Sequence, residues 1–390
     1  MSLLLTPFVD DYDNRRPREH NTPAIRAECL RLALSPEGIP APLRRTLWKA
    51  LLQIPSDAPK PTGLASPQDE TLSLDVELML SNLGAEQNDA QADIEAVLAF
   101  FCKKTGTAYT PSLCELAMPI VLVYGGKDIG SIFHVLYRAA SSLVVRLNPG
   151  VCDLHRSLLQ YHDPTLSLHL DQRNRYSTLP LAAWHATCFA SILGKDNVLP
   201  VWDYLLSAGT DDARRVLLVG IAILTLSRAF LMASGGDPTD AELCVLRRAA
   251  TGHDIVATAT ALEANTPWCA HDDLRVAFSG EISISERVRK YIVLPITAEE
   301  IMRAFRSPPP TSPPPIKYIV LDCRSEKSFH YARLPTAVHI GTKVGYDADL
   351  MKAITERFVS AKGSHFCILG TGRSLSDENN LLNVLALQFV

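Results

Sequence analysis

Two segments near the C-terminus hold the residues best suited to chemistry. Asp322 and Arg324 follow the apolar run 318–321, and Cys367 precedes the loop Gly370-Thr-Gly372-Arg373. A Gly-rich loop that follows a strand can bind an anion or stabilise a thiolate through its backbone N–H groups. A carboxylate and a guanidinium two residues apart more often form a structural pair, which is our interpretation of Asp322 and Arg324.

Histidine and cysteine spacing predicts no metal site and no cofactor. His162 and Asp163 are adjacent, but Asp163-Pro164 is a turn signal, so both side chains are predicted to cap a helix or to lie in a loop. The nine cysteines are scattered, odd in number and without a C-x-x-C pair. This pattern is typical of reduced thiols in a cytosolic protein.

Composition excludes several classes of protein. Lys and Arg number 38 against 42 Asp and Glu, a formal net charge of −4, which argues against a nucleic-acid partner. The most apolar stretch, Val216–Ala233, has its uninterrupted part only between Arg215 and Arg228, whereas a span needs about 20 residues. We expect a buried helix there and no transmembrane segment. The N-terminus has no basic region typical of a signal peptide.

Hydrophobic periodicity divides the chain into two parts of different class. Apolar residues repeat at helical spacing over 24–305 and predict an all-helical domain. The two clearest runs are Ile94, Val97, Leu98 and Phe101, and Ile132, Val135, Leu136 and Ala139. Residues 306–315 are predicted to be an extended Pro-rich linker.

The region 316–390 reads as alternating strands and helices, typical of a small α/β unit with a parallel sheet. Strands are predicted at 318–321 and 366–369, with helices over 352–358 and 377–389. Because the sequence stops inside an apolar helix, we expect the unit to be truncated at its C-terminus. Residues 1–23 are interpreted as an N-terminal extension.

Three segments of the helical part together resemble the TBC domain, the module of Rab GTPase-activating proteins (GAPs). Arg44 and Trp48 match its R-x-x-x-W segment, Trp184 its W-F-L-T-L-F-like helix, and Trp202-Asp203 its W-D-x-L-L helix. All five are interpreted as scaffold residues: large rings fill the core, and Asp203 bonds a neighbouring group.

The resemblance implies that two catalytic positions are degenerate. The family inserts the Arg of I-x-x-D-x-x-R and the Gln of Y-C-Q-G into the GTPase, and an arginine finger accelerates hydrolysis about 10³–10⁵-fold. In the segment 72–78, Asp75 is kept but Leu78 stands at the Arg position. Tyr109 is kept, and Pro111 stands at the Gln position. The sequence therefore predicts no conventional dual-finger GAP.

The α/β part resembles a rhodanese domain through Asp322, Arg324 and the segment 334–340. In C-x-x-G-x-R the catalytic Cys lies five residues before the Arg, and Ile368 holds that place before Arg373. Cys367 lies one residue earlier, so its side chain is expected on the opposite face of the strand, in the core. The loop positions Gly370 and Gly372 keep the glycines, and the thiol is displaced.

A TBC domain combined with a rhodanese-like domain, both degenerate, resembles a family of trafficking adaptors. The resemblance implies a cytoplasmic protein, peripheral at the trans-Golgi network and endosomal vesicles, that tethers vesicles by binding golgin N-terminal segments. It also implies binding of the WASH complex through a C-terminal region beyond this sequence. An atypical Rab GAP and a sulfurtransferase remain as alternatives.

In the adaptor interpretation, a groove that once faced a GTPase binds a golgin helix. Leu78 and Pro111 would add apolar contact there, with Asp75 and Tyr109 as its polar rim. The alternative, that these positions have simply drifted, stays open.

Overall fold

A computed structural model describes most of the chain. The described residues are 23–55, 58, 61, 70–84, 88–126, 128–144, 149–172, 179, 181–208, 214–233, 250–267, 270, 293–306, 318–341, 347–361, 364–371 and 382–386. Residues 1–22 of the predicted N-terminal extension and residues 307–315 of the predicted Pro-rich linker lie outside them.

The chain forms two compact units, each assembled from two stretches of sequence. Unit 1 comprises Met1–Leu147 and Thr178–Thr260, and unit 2 comprises Asn148–Ser177 and Ala261–Val390. Residues 148–177 thus belong to the same unit as the C-terminal α/β part. The domain limits inferred from the sequence, at residues 24, 305 and 316, remain predictions, and the two units are divided at other positions.

The described part of unit 1 is helical, as its periodicity predicted. Its helices are α1 (Pro23–Ala33), α2 (Ala41–Leu51), α3 (Glu70–Leu83), α4 (Asn88–Thr105), α5 (Pro111–Tyr124), α6 (Ile129–Ser142), α9 (Leu181–Ala186), α10 (Ala190–Ser207), α11 (Arg214–Leu226) and α12 (Arg228–Ala233). Helix α13 (Gly252–Asn265) begins in unit 1 and ends in unit 2. The two clearest predicted runs lie within α4 and α6 and are buried.

Helix α10 is central to unit 1 because it packs against both α1 and α5. Gly194 interrupts it with φ +67° and ψ 178°, a conformation outside the helical region that glycine adopts without steric cost. Beyond this kink, Val201, Trp202 and Tyr204 are fully buried.

The apolar stretch 216–233 forms two helices, α11 and α12, rather than one long helix. Val216–Leu224 are all buried, which confirms the predicted buried helix. Within the described ranges, no helix has the length and apolar character that a membrane span requires.

Unit 2 combines a parallel sheet with helices from both of its stretches of sequence. Its elements are α7 (Pro149–His162), α8 (Pro164–Gln172), α14 (Ala298–Ala304), β1 (Tyr318–Asp322), α15 (Glu326–Tyr331), β2 (Ala337–His339), α16 (Ala348–Arg357) and β3 (His365–Leu369). The described strands form one sheet of order β2-β1-β3, parallel throughout. Both predicted strands are confirmed as β1 and β3. The short β2 was not predicted, because it has only three residues.

The two faces of this sheet are covered by different side chains. Leu321 faces a cluster with Met351 and Ile354 of α16, while Val320 faces one with Ile301 of α14. The side-chain period of two in a strand sends neighbours to opposite faces. The predicted helices over 352–358 and 377–389 are observed as α16 and, among the described residues, over 382–386.

Helix α7 is tied to the sheet by aromatic and polar contacts. The Tyr161 hydroxyl lies 3.0 Å from that of Tyr318 on β1, and the Tyr161 carbonyl lies 3.1 Å from Nε2 of His365 on β3. Next to Tyr161, Nε2 of His162 lies 3.0 Å from the Thr266 hydroxyl. Burial lowers the pKa of His162 to about 3, so this ring is neutral. These bonds explain why residues 148–177 cluster with unit 2.

Candidate functional site

A buried ion pair joins α2 to α10. The Arg44 guanidinium donates to both carboxylate oxygens of Asp203 at 2.9–3.0 Å, and Trp48 Nε1 donates to Oδ1 at 2.7 Å. Spacing of four residues places Arg44 and Trp48 on one face of α2. The Trp48 ring stacks on Trp202 with centroids 5.4 Å apart. Trp184 on α9 is also buried.

The pair is enclosed, because the Asp203 side chain has no exposed surface and that of Arg44 has 11%. Burial raises the pKa of Asp203 above its ordinary value, and the Arg44 guanidinium and the Trp48 indole oppose that rise. A buried carboxylate persists only with such partners. The predicted role of these residues as scaffold fits this geometry.

The first degenerate position lies on α3, which buries Leu72, Val76, Met79 and Leu80. Asp75 is half-buried at the edge of this buried face, and Leu78, three residues later, is exposed. The Leu78 side chain is 62% exposed, and Leu74, one turn earlier, is 64% exposed. Helix α3 therefore presents two leucines to solvent, where its amphipathic pattern would place polar groups.

The second degenerate position begins α5. Pro111 is exposed at the first turn of that helix, after Thr110 in extended conformation. Proline is favoured there because the first helical residue needs no N–H donor and has φ near the fixed proline value. Its side chain has no hydrogen-bonding group. Pro111 thus has a local structural role as a helix start.

A short hydrogen bond connects the two segments. The Tyr109 hydroxyl donates to Asp75 Oδ2 at 2.7 Å. Burial, together with this bond, raises the pKa of Tyr109, so the phenol stays protonated and remains the donor. Burial also raises the pKa of the nearby Cys114 thiol to about 12, with the Asp75 charge as a second cause. The structure therefore joins the two motifs through Asp75 and Tyr109.

At the two positions that the sequence predicts for the Arg and Gln of the family, the residues are Leu78 and Pro111. The sequence has no arginine between Arg45 and Arg138. Asp75 and Tyr109 engage each other, Leu78 presents only methyl groups, and Pro111 only a ring. These four residues thus offer two apolar side chains and one hydrogen-bonded polar pair.

The C-terminal edge of the sheet in unit 2 holds the second candidate site. Asp322, fully buried at the end of β1, accepts bonds from Nε and an Nη atom of Arg324, the shortest 2.7 Å. Arg324 also donates to the Ala332 carbonyl, and its own carbonyl lies 2.9 Å from His339 Nε2. The structural pair predicted from the sequence is confirmed. Each group is engaged within the fold.

The cysteine that precedes the Gly-rich loop is buried, with 7% of its surface exposed. Cys367 packs in the cluster of Val320 and Ile301, while Ile368 packs against the opposite cluster. Burial raises the pKa of Cys367 to about 11, which disfavours a thiolate at neutral pH. The predicted core location is confirmed. Gly370 follows β3, whereas Gly372 and Arg373 lie outside the described residues.

Comparison with known families decides the class of the helical part. Residues 42–232 match the family model described as the Rab-GTPase-TBC domain. This part of the chain is a TBC domain. The match includes Arg44, Trp48, Trp184 and Trp202-Asp203, and it runs through residues 148–177, which cluster in unit 2.

One solved structure similar to this chain is the flagellar RabGAP TBC domain of Chlamydomonas. The two share 18% identity at a TM-score of 0.43, over 60% of this chain and 83% of that one. The family match covers about half of the chain. For the rest, the structure shows a small parallel sheet compatible with an α/β domain.

Sequence reasoning missed two features of these sites. Leu74 was not singled out, although its spacing of four residues from Leu78 was available as a signal. The contacts of Tyr161 with Tyr318 and His365 had no signal, because they join residues more than 150 positions apart.

Proposed function

We propose that this protein is a non-catalytic trafficking adaptor whose TBC domain binds a partner without stimulating GTP hydrolysis. The observation that carries the proposal is the exposed Leu78 on α3, at the position where the family places its arginine finger. The TBC domain itself favours a Rab-related role in membrane trafficking.

The loss of catalysis follows from the chemistry of the two positions. An arginine finger neutralises charge on the transferring phosphoryl group, and the glutamine orients the attacking water. Leu78 has neither charge nor donor, and Pro111 has no amide. Burying the charged phosphate site against a leucine, which supplies no hydrogen bond, would also be unfavourable.

The same residues support binding of an apolar surface. Leu74 and Leu78 form a stripe of two leucines one turn apart, and such a stripe pairs with the apolar face of an amphipathic helix. The bond between Tyr109 and Asp75 fixes a polar edge beside it. We assign the surface of Leu74 and Leu78, together with the exposed Pro111 two residues after Tyr109, to the N-terminal segment of a golgin.

The partner is inferred from a resemblance of this sequence to TBC domain family member twenty-three. The two motif sets that we interpret as degenerate carry this resemblance. We propose that the chain corresponds to the N-terminal part of such an adaptor. It would act at the trans-Golgi network and endosomal vesicles, with WASH-complex components engaged through another region.

The decisive experiment pairs binding with hydrolysis. Purified protein is tested for pull-down of golgin N-terminal segments and for GTP hydrolysis on a panel of Rab proteins. We expect retention of a golgin segment and no hydrolysis above the intrinsic rate. The double variant Leu78→Arg/Pro111→Gln should lose golgin binding, because it introduces a charge into the apolar surface. Leu350→Arg, a similar change at an exposed leucine of α16, serves as the matched control.

Two outcomes would refute parts of this proposal. If golgin binding is unchanged in the double variant, Leu78 and Pro111 do not form the golgin-binding site. Hydrolysis stimulated by the wild-type protein would establish an atypical GAP, a role that the family match by itself favours. Thiocyanate formed from thiosulfate and cyanide, and lost in Cys367→Ser, would establish a sulfurtransferase instead.

A further inference from the structure

Unit 1 carries an aromatic cluster at the surface between α4 and α6. The Phe100 and Phe133 rings lie 5.0 Å apart edge to face, and Phe133 lies 6.0 Å from Tyr137. Phe133 is buried, Phe100 is half-buried, and Tyr137 is 41% exposed. The cluster therefore extends from the core to solvent and leaves aromatic surface uncovered.

The two helices of this cluster also carry three exposed cations. Lys103 and Lys104 lie three and four residues after Phe100, which places them on the same side of α4. Arg138 is adjacent to Tyr137 on α6. We name the set of Phe100, Lys103, Lys104, Phe133, Tyr137 and Arg138 the aromatic–basic patch.

Among the described residues, no carboxylate forms an ion pair with the cations of the patch. Neither lysine nor the arginine has an Asp or Glu three or four positions away along its helix. Within the described ranges, no carboxylate oxygen lies within 4.0 Å of their charged nitrogens. A concentration of uncompensated positive charge in a chain with net charge −4 favours an acidic ligand at this place.

We propose that the aromatic–basic patch binds an acidic linear segment of a partner protein. An aromatic or aliphatic side chain of that segment packs against Tyr137 and Phe100, and its carboxylates pair with the three cations. Tyrosine and arginine are enriched at protein interfaces because they combine large contact area with hydrogen bonding. The net negative charge of the chain opposes a long polyanion, so a short acidic segment is the occupant that fits. This inference uses neither Leu78 nor Pro111 and does not rest on the proposed function.

The test uses the full chain and a fluorescein-labelled amphipathic peptide of glutamate and leucine with one tryptophan. Its counterpart has glutamine in place of every glutamate. Fluorescence anisotropy should show binding of the acidic peptide that weakens as salt is raised, because screening acts on exposed charge pairs. The glutamine peptide should bind about tenfold more weakly or worse.

Charge reversal locates the site. The triple variant Lys103→Glu/Lys104→Glu/Arg138→Glu should lose affinity about tenfold or more. The matched control reverses three exposed cations of unit 2, Lys327, Lys352 and Arg357, and should bind as wild type does. It changes the net charge by the same amount.

A second variant keeps the test valid if the triple variant does not fold, as judged by circular dichroism. Tyr137→Ser removes the exposed ring and should weaken binding by several-fold. Undiminished binding in a folded triple variant or in Tyr137→Ser would overturn the proposal. So would the absence of wild-type binding, or tighter binding of duplex DNA or anionic vesicles through the same cations.

Discussion

The buried pair of Arg44 and Asp203 offers the sharpest test of how the TBC scaffold is held. Asp203 has no exposed surface and accepts from Arg44 and from the Trp48 indole. Asp203→Leu removes the acceptor and leaves a guanidinium that is only 11% exposed. Breaking a buried pair by removing one partner costs about 3–5 kcal/mol, and the unpaired indole adds about 1 kcal/mol.

The double variant Arg44→Met/Asp203→Leu should be less costly than the single variant Asp203→Leu. With both charges gone, only the Trp48 N–H is left unpaired, so we expect a loss of about 1–2 kcal/mol. A double-mutant cycle over the two positions should then give a coupling energy of about 3 kcal/mol or more. Urea unfolding followed by tryptophan fluorescence measures each variant, since Trp48 and Trp202 stack beside the pair.

The pH dependence should differ between the two single variants. In Arg44→Met, the carboxyl of Asp203 loses the cation that opposes the effect of burial, so its folded-state pKa rises further above the unfolded value of about 3.9. The free energy of unfolding of this variant is then unaffected below about pH 3.9, where the carboxyl is protonated in both states. It falls as the pH rises from that value through the folded-state pKa, because the unfolded chain releases the proton first. Asp203→Leu has no carboxyl and should lack this dependence. Losses below about 1 kcal/mol in both single variants, or additive costs in the double variant, would refute the reasoning.

Three further predictions concern unit 2. The pKa of His162 is about 3 in the folded protein and about 6.5 in the unfolded chain, so unfolding takes up a proton between pH 3 and pH 6.5. The free energy of unfolding should therefore fall by on the order of 4 kcal/mol as the pH is lowered from 6.5 to 3. His162→Gln, which can still bond Thr266, should flatten that slope in urea unfolding, and an unchanged slope would contradict the assignment. Tyr161→Phe removes the bond to Tyr318 and should cost about 1 kcal/mol, measured by thermal unfolding against Tyr318→Phe. Cys367 should react with a thiol reagent only after urea unfolds the protein, and rapid labelling of the native protein, located by mass spectrometry, would show that the thiol is accessible.

The helical class and the scaffold residues could be predicted because their signals are local. Apolar spacing within α4 and α6 directly reports which side of each helix is buried. The order of Arg44, Trp48, Trp184 and Trp202 along the chain identified the TBC domain before any contact was known. Cys367 was placed in the core by the alternation of a strand, which needs no knowledge of the partner strand.

The grouping of the helices was not accessible in this way. Residues 148–177 have the same helical periodicity as the rest of the region, and periodicity does not say against which neighbour a face packs. Their place in unit 2 depends on Tyr161 meeting Tyr318 and His365, across more than 150 residues of sequence. The same holds for the aromatic–basic patch, which requires α4 and α6 to lie side by side.

The sequence by itself determined that Leu78 and Pro111 have no guanidinium and no amide side chain, because side-chain chemistry is a property of the residue alone. It likewise determined the helical and α/β classes, through patterns that repeat within one element. Only the tertiary structure decided that Leu74 and Leu78 are exposed together, that Tyr109 bonds Asp75, and that α7 and α8 pack with the sheet. The physical reason is that burial and hydrogen bonding depend on the distance between elements, which no spacing along the chain specifies.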